Sequence, residues 1–221
     1  MTQKDKTNTA ILISGTGSNM EALIKAAQNP DYPAKISLVI SNRPKAKGVE
    51  TARKLGIKVE VIDHKSFETR EAFDQTLTNC LEAHNIELVC NAGFMRLLTK
   101  EFVTHWHNRQ LNIHPSLLPA FKGLNTHERA LQADVKITGC TVHFVRNDMD
   151  SGPIIAQAAI PILPNDTALT LKQRVLEVEH QLYPEALKLV ASGNIRVVNE
   201  NALISKTYEA AAPLFSLPLS R

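Results

Sequence analysis

Between residues 10 and 92, short apolar runs alternate with stretches of helical period, and this rhythm narrows the fold more than any other feature of the chain. Residues 10–14 (AILIS) read as a short buried strand. The glycine-bearing turn Gly15-Thr16-Gly17-Ser18-Asn19 follows, and Met20, Leu23, Ile24 and Ala27 then fall on one helix face. The pattern repeats: residues 35–41 are strand-like, 46–55 helix-like, 58–62 strand-like and 69–83 helix-like, and residues 88–92 add a further core strand. Such alternation predicts an α/β, doubly wound fold with a mostly parallel central sheet and helices on both faces. Ligands in sheets of this kind bind beyond the carboxyl ends of the strands.

Past Asn112 the rhythm changes. Residues 136–145 (KITGCTVHFV) and 153–162 (PIIAQAAIPI) read as two strands joined by a polar turn, which predicts an antiparallel or mixed edge pair in the C-terminal half. Residues 167–191 form a long amphipathic helix with a kink expected near Pro184. The 221 residues contain no linker-like stretch, repeat or low-complexity tract, so one domain over 1–221 is expected, with poorly ordered ends at 1–8 and 212–221.

The chemistry-bearing segment is Leu111-Asn112-Ile113-His114-Pro115-Ser116, followed later by Asp150-Ser151-Gly152-Pro153. Alternation along a strand puts Asn112 and His114 on one face and Ile113 on the other, and Pro115 stops the strand. An amide donor, a proton-carrying imidazole and a carboxylate beside it make a kit for moving an acyl group through a tetrahedral oxyanion. His143, alternating with apolar residues in its strand, is read as a support to that set. The first loop favours an anion: Gly15 and Gly17 permit close backbone approach, and Ser18 and Asn19 open a helix whose dipole attracts phosphate. Its alternative is a tight turn with Ser18 or Asn19 as an N-cap. Arg70, at a helix start, reads as a phosphate or carboxylate clamp or as a solvated surface residue. Met95, Arg96, Leu97 and Leu98 follow a core strand and line a pocket for a flat heterocycle or else belong to the core.

A formal net charge of +3 is too mild for nucleic acid as a main partner. Cys80, Cys90 and Cys140 are odd in number and lack a CxxC pair, which fits reduced cytosolic thiols. His105 and His107 have no third ligand at useful spacing, so no metal is expected. No run is long enough for a membrane span, and the polar start MTQKDKTNTA has no signal-peptide core, so a cytoplasmic location is expected.

Taken in order, ILISGTGSN, NAGFMRLL, LNIHPSLLPAFKGLNTHERAL, TVHFV with the following DSGP, and VLEVEHQLYP closely resemble glycinamide ribonucleotide formyltransferases, from about Ala10 to about Asn201. The resemblance implies a Rossmann-like formyltransferase fold and transfer of formyl from 10-formyltetrahydrofolate to glycinamide ribonucleotide in purine synthesis. It implies Asn112, His114 and Asp150 as the catalytic set, with Gly17, Ser18 and Asn19 on the phosphoribosyl substrate. Leu176, Glu177, Val178 and Glu179 help on that ligand. Met95, Arg96, Leu97 and Leu98, with Arg146, Asn147, Asp148, Met149 and Asp150, would surround the folate pterin, and Arg70 would lie near folate and substrate. Ser151 stands where many members have glycine, a change of backbone preference rather than of chemistry.

Methionyl-tRNA formyltransferase and formyltetrahydrofolate hydrolase share the Asn-x-His chemistry. The first needs additional chain for tRNA and the second an N-terminal regulatory region, and neither is expected here. A non-catalytic nucleotide-binding module would keep the glycine loop but would have no reason to assemble Asn112, His114 and Asp150. Small-molecule substrates are the expected partners, with no nucleic acid and no membrane, and the chain is expected to be a monomer or a weak homodimer.

Overall fold

The computed structural model describes residues 6–205 together with residues 214 and 216. The rhythm of the first half appears as β1 (Thr7–Ile13), α1 (Ser18–Ala27), β2 (Ala34–Ser41), α2 (Lys47–Lys54), β3 (Lys58–Val61), α3 (Arg70–Ala83) and β4 (Leu88–Asn91). The second half adds α4 (Lys100–His105), β5 (Gln110–His114), α5 (Thr126–Gln132), β6 (Ile137–Phe144), β7 (Ile154–Pro161) and α6 (Ala168–Ala191). A hairpin of β8 (Ile195–Val198) and β9 (Asn201–Ile204) closes the series. Of the ends expected to be irregular, Thr7 and Asn8 instead lie in β1, where the Thr7 amide donates to the Pro33 carbonyl at 2.8 Å. Most of 212–221 lies outside the described residues.

Seven strands form one sheet in the order β3-β2-β1-β4-β5-β6-β7. The pairs from β3 to β5 are parallel, and β5–β6 and β6–β7 are antiparallel. Strands buried on both sides send alternate residues to opposite cores. In β1, Ile11 and Ile13 join Met20 and Leu23 of α1 and Leu171, Val175 and Tyr183 of α6. Ala10 and Leu12 join Phe73, Leu77 and Leu81 of α3 and Phe102 and Trp106 beyond them. α6 continues as a helix through Pro184 and starts from a capping box at Thr167 and Thr170. The Tyr183 hydroxyl, buried beneath it, donates to the carbonyls of Asn91 (3.0 Å) and Leu111 (3.3 Å), tying α6 to β4 and β5.

Gly139 explains how β6 and β7 lie so close: a Cβ there would stand 1.8 Å from the Ala158 carbonyl oxygen. Only glycine fits. No described helix is long and apolar enough to cross a membrane. The three cysteines are free thiols, and burial pushes Cys90 and Cys140 up to about 12, which leaves them poor nucleophiles at neutral pH.

Candidate active site

β5 ends at His114, and its antiparallel register with β6 sets Asn112 opposite His143 and His114 opposite Thr141. Asn112, His114 and His143 therefore share one sheet face. Because β6 runs against β5, its end at Phe144 lies beside Leu111, away from His114. The turn after β6 must fold back over that face for its carboxylate to reach the imidazole, and it does. His114 Nδ1 lies 3.3 Å from Asp150 Oδ2, with the two side chains only 6% and 10% exposed.

Two features hold the turn in this shape. Asp150 adopts a left-handed backbone (φ 50°), an uncommon conformation for a side-chain-bearing residue. Gly152 passes so near β6 that a Cβ would meet the Phe144 carbonyl oxygen at 1.8 Å. The Asp150 carboxylate also accepts from the Gly123 amide at 2.8 Å. That amide belongs to the segment after Pro119, whose Phe121 carbonyl accepts from His114 Nε2 at 3.0 Å. A carbonyl and an ionised carboxylate only accept, so both ring nitrogens of His114 face acceptors, an arrangement that suits an imidazolium.

His143 has the opposite electrostatics. Burial lowers its pKa, with the Phe144 carbonyl and Asp150 opposing that shift. Its Nδ1 donates to the Phe144 carbonyl at 2.9 Å, so in the neutral ring Nε2 is left as an acceptor. Asn112 Nδ2 lies 3.3 Å from that atom and donates to it. This fixes which end of the Asn112 amide is nitrogen and leaves one N–H for a bound molecule.

The glycine loop sits at the neighbouring strand ends. Gly17 (φ 80°) precedes α1 with no side-chain cap, so the first amides of the helix are open to an anion. Ser18 and Asn19 begin that helix. Gly17 and Gly48 are packed closely enough that a Cβ on Gly17 would stand 3.1 Å from Gly48 Cα. Asn19 Nδ2 donates to Glu179 Oε2 at 2.7 Å, while Asn19 Oδ1 is buried without a partner. Burial raises the pKa of Glu179 despite that bond and the charge of Lys172. Glu179 is buried against α1. Leu176 and Val178 are half-buried beside it on α6 and Glu177 is exposed.

Met95 and Leu97 are exposed apolar residues, and Leu98 packs on the second core. Arg96 lays its guanidinium 4.7 Å above the Phe73 ring. Arg70 and Arg96 both act electrostatically on buried Asp74. Asn147, Asp148 and Met149 are exposed on the turn, and Ser151 Oγ donates to the Asp148 carbonyl at 2.7 Å. Arg146, at the start of the turn, engages Glu200 and Asn108 with its side chain.

Several residues of the site escaped the sequence reading. Ser14 Oγ donates to Asn42 Oδ1 (2.6 Å) and accepts from the Met95 amide (2.8 Å), joining the ends of β1 and β2 to the loop after β4. His127 is buried with Nδ1 unpartnered, and burial lowers its pKa. Neither had a sequence signal beyond a polar residue beside an apolar run. No group of three or more His, Cys, Asp or Glu among the described residues is placed to hold a metal ion.

A formyl transferase family model matches residues 7–187. The chain belongs to the formyl transferase family. It is 40% identical over 195 residues to a phosphoribosylglycinamide formyltransferase of Escherichia coli (strain K12), covering 88% of this chain and 92% of that protein. It is 49% identical over 202 residues to the trifunctional purine biosynthetic protein adenosine-3 of Homo sapiens, covering 91% of this chain but 20% of that one. This formyl transferase thus spans about a fifth of the trifunctional relatives it matches. A solved glycinamide ribonucleotide transformylase 1 from Symbiobacterium toebii superposes with a TM-score of 0.89 at 43% identity, covering 91% of this chain and 95% of that one.

Proposed function

We propose that this formyl transferase moves the formyl group of 10-formyltetrahydrofolate onto the amine of N1-(5-phospho-D-ribosyl)glycinamide, giving the N-formyl product and tetrahydrofolate. The observation that carries the reading is the meeting of Asn112, His114 and Asp150 over one sheet face beside an open helix N-terminus at Gly17. The match to proteins named for this activity supports it.

In this reading the substrate phosphate lies on the amides that follow Gly17. The unpartnered Asn19 Oδ1 takes a hydrogen bond from the ligand, and Glu179, with Leu176, Glu177 and Val178 around it, holds the same molecule. The exposed apolar side chains of Met95, Leu97 and Met149 offer the folate ring a surface, with Arg70 near it. The amine attacks the formyl carbon, forming a C–N bond and placing charge on the formyl oxygen. The free N–H of Asn112 donates to that oxygen. His114, its two ring nitrogens held against the Phe121 carbonyl and Asp150, supplies positive charge beside it when protonated. Collapse breaks the carbon–folate nitrogen bond, and the proton lost by the attacking amine ends on the departing folate nitrogen. No step needs a metal.

With the reading go small-molecule partners only, a monomer or weak homodimer, and a cytoplasmic location. An assay supplying 10-formyltetrahydrofolate with glycinamide ribonucleotide, water and formyl-accepting tRNA in competition tests it. Formyl should appear on the ribonucleotide. Release as formate, or transfer to tRNA, would instead identify a hydrolase or a tRNA formyltransferase.

A further inference from the structure

The turn that carries Asp150 begins at Arg146, each of whose three guanidinium nitrogens has a partner. Its Nε donates to Glu200 Oε2 at 2.6 Å and its Nη2 to Asn108 Oδ1 at 2.7 Å, with Glu200 Oε1 a further 3.4 Å from Nη2. Nη1 donates to the Val145 carbonyl at 3.0 Å. The Arg146 side chain is 13% exposed and Glu200 61% exposed. The guanidinium thereby ties together three segments distant in sequence: the turn after β6, the loop leading into β5, and the turn of the β8–β9 hairpin.

The hairpin can act as an anchor because it is fastened to the molecule independently of Arg146. Ile195, Val197 and Ala202 pack on the main core, while the Ser205 amide, donating to the Asn194 carbonyl at 2.8 Å, closes the base of the hairpin itself. Asn199 and Glu200 both adopt left-handed backbone (φ 48° and 58°), the conformation of a tight two-residue hairpin turn, which fixes where the Glu200 carboxylate projects. The hairpin also lies beyond the residues 7–187 that the family model matches.

We propose that Glu200, through Arg146, is a positioning residue for the turn after β6: the β8–β9 hairpin sets where the donor-binding backbone of residues 146–149 lies, ahead of Asp150. An ion pair this exposed contributes little to global stability, so its effect is geometric. Planar bidentate pairing of guanidinium and carboxylate fixes direction as well as distance, and Asn108 fixes the remaining edge of the fork. The turn has a second fastening at Asp150, on Gly123 and His114. Cutting the first should let the intervening Asn147, Asp148 and Met149 move while Asp150 still reaches the imidazole. The expectation is a loss in donor binding more than in the chemical step.

The inference rests on the proposed formyl transfer for its kinetic arm only. Glu200→Ala and Arg146→Ala should each speed amide hydrogen exchange across residues 146–152 in the ligand-free protein, leaving α1 and the Gly17 loop unchanged. They should raise the KM for 10-formyltetrahydrofolate roughly tenfold, with the KM for the ribonucleotide and the melting temperature nearly unaltered. Glu200→Gln, which keeps an acceptor for Nε, should recover part of the loss. Unchanged exchange in 146–152, or equal rises in both KM values, would overturn the proposal. Absence of formyl transfer in the unsubstituted protein would overturn the functional reading while leaving the exchange result to decide the positioning role.

Discussion

At the scale of single residues, the site depends on two histidines with different hydrogen-bond partners. His114 faces two acceptors, whereas His143 must stay neutral so that its Nε2 can accept from Asn112. Asn112→Ala removes the oxyanion donor and should lower kcat by about two orders of magnitude, or about 3 kcal/mol, measured under saturating substrates. His143→Ala leaves the Asn112 amide unoriented and should lower kcat about tenfold with both KM values nearly unchanged. Acid has a further effect on stability. Burial lowers the pKa values of His127, His143 and His180, so in the folded state they resist protonation below the ordinary 6.5 of the unfolded chain. Between 6.5 and the lower folded values the unfolded chain binds more protons, and stability that is complete above 6.5 is lost as the pH falls. Denaturant titrations at pH 7.5 and 5.5 should show a lower midpoint at 5.5, and a His127→Gln, His143→Gln double variant a smaller difference. Asn112, His114 and Asp150 were legible because each residue type announces its chemistry and strand alternation pairs the first two. The Asn112–His143 bond and the Phe121 carbonyl were not, since register and loop path decide them.

At the scale of elements, two glycines determine whether the edge of the sheet and the catalytic turn can form. Gly139→Ala drives a methyl into the Ala158 carbonyl and should separate β6 from β7, costing roughly 3 kcal/mol or more by thermal unfolding. Gly152→Ala meets the Phe144 carbonyl in the same way, but its strain falls on the turn holding Asp150. It should therefore cost more in kcat than in melting temperature, whereas Gly139→Ala should do the reverse. Apart from β1, which starts three residues earlier than its apolar run, the long elements were readable to within a residue or two, because apolar runs and helical period need no tertiary information. α4, α5 and the β8–β9 hairpin were missed. The first two are six and seven residues long, less than two helical turns, and the hairpin strands leave Val198, Leu203 and Ile204 exposed with no inward-outward alternation to read. The Glu200 partner of Arg146 was not legible, because it belongs to that unread hairpin.

At the scale of the whole molecule, the change from parallel to antiparallel pairing after β5 makes the site possible. A further parallel strand would begin at the far side of the sheet after a crossover, but antiparallel β6, reached through the segment that holds α5, starts from the end where β5 stops and sets His143 beside Asn112. Its continuing chain then folds back to deliver Asp150. The sequence reading anticipated the antiparallel edge from the two apolar runs flanking a polar turn, yet it could not show that the turn doubles back, a path set by Gly152 and the left-handed Asp150. The central claim is that amide and imidazole act on one oxyanion. A double-mutant cycle on formyl transfer tests this directly, comparing kcat for Asn112→Ala, His114→Ala and the pair. The double variant should be little slower than the slower single variant, because each substitution disables the same centre. Losses that multiply in full would show two independent roles and contradict it.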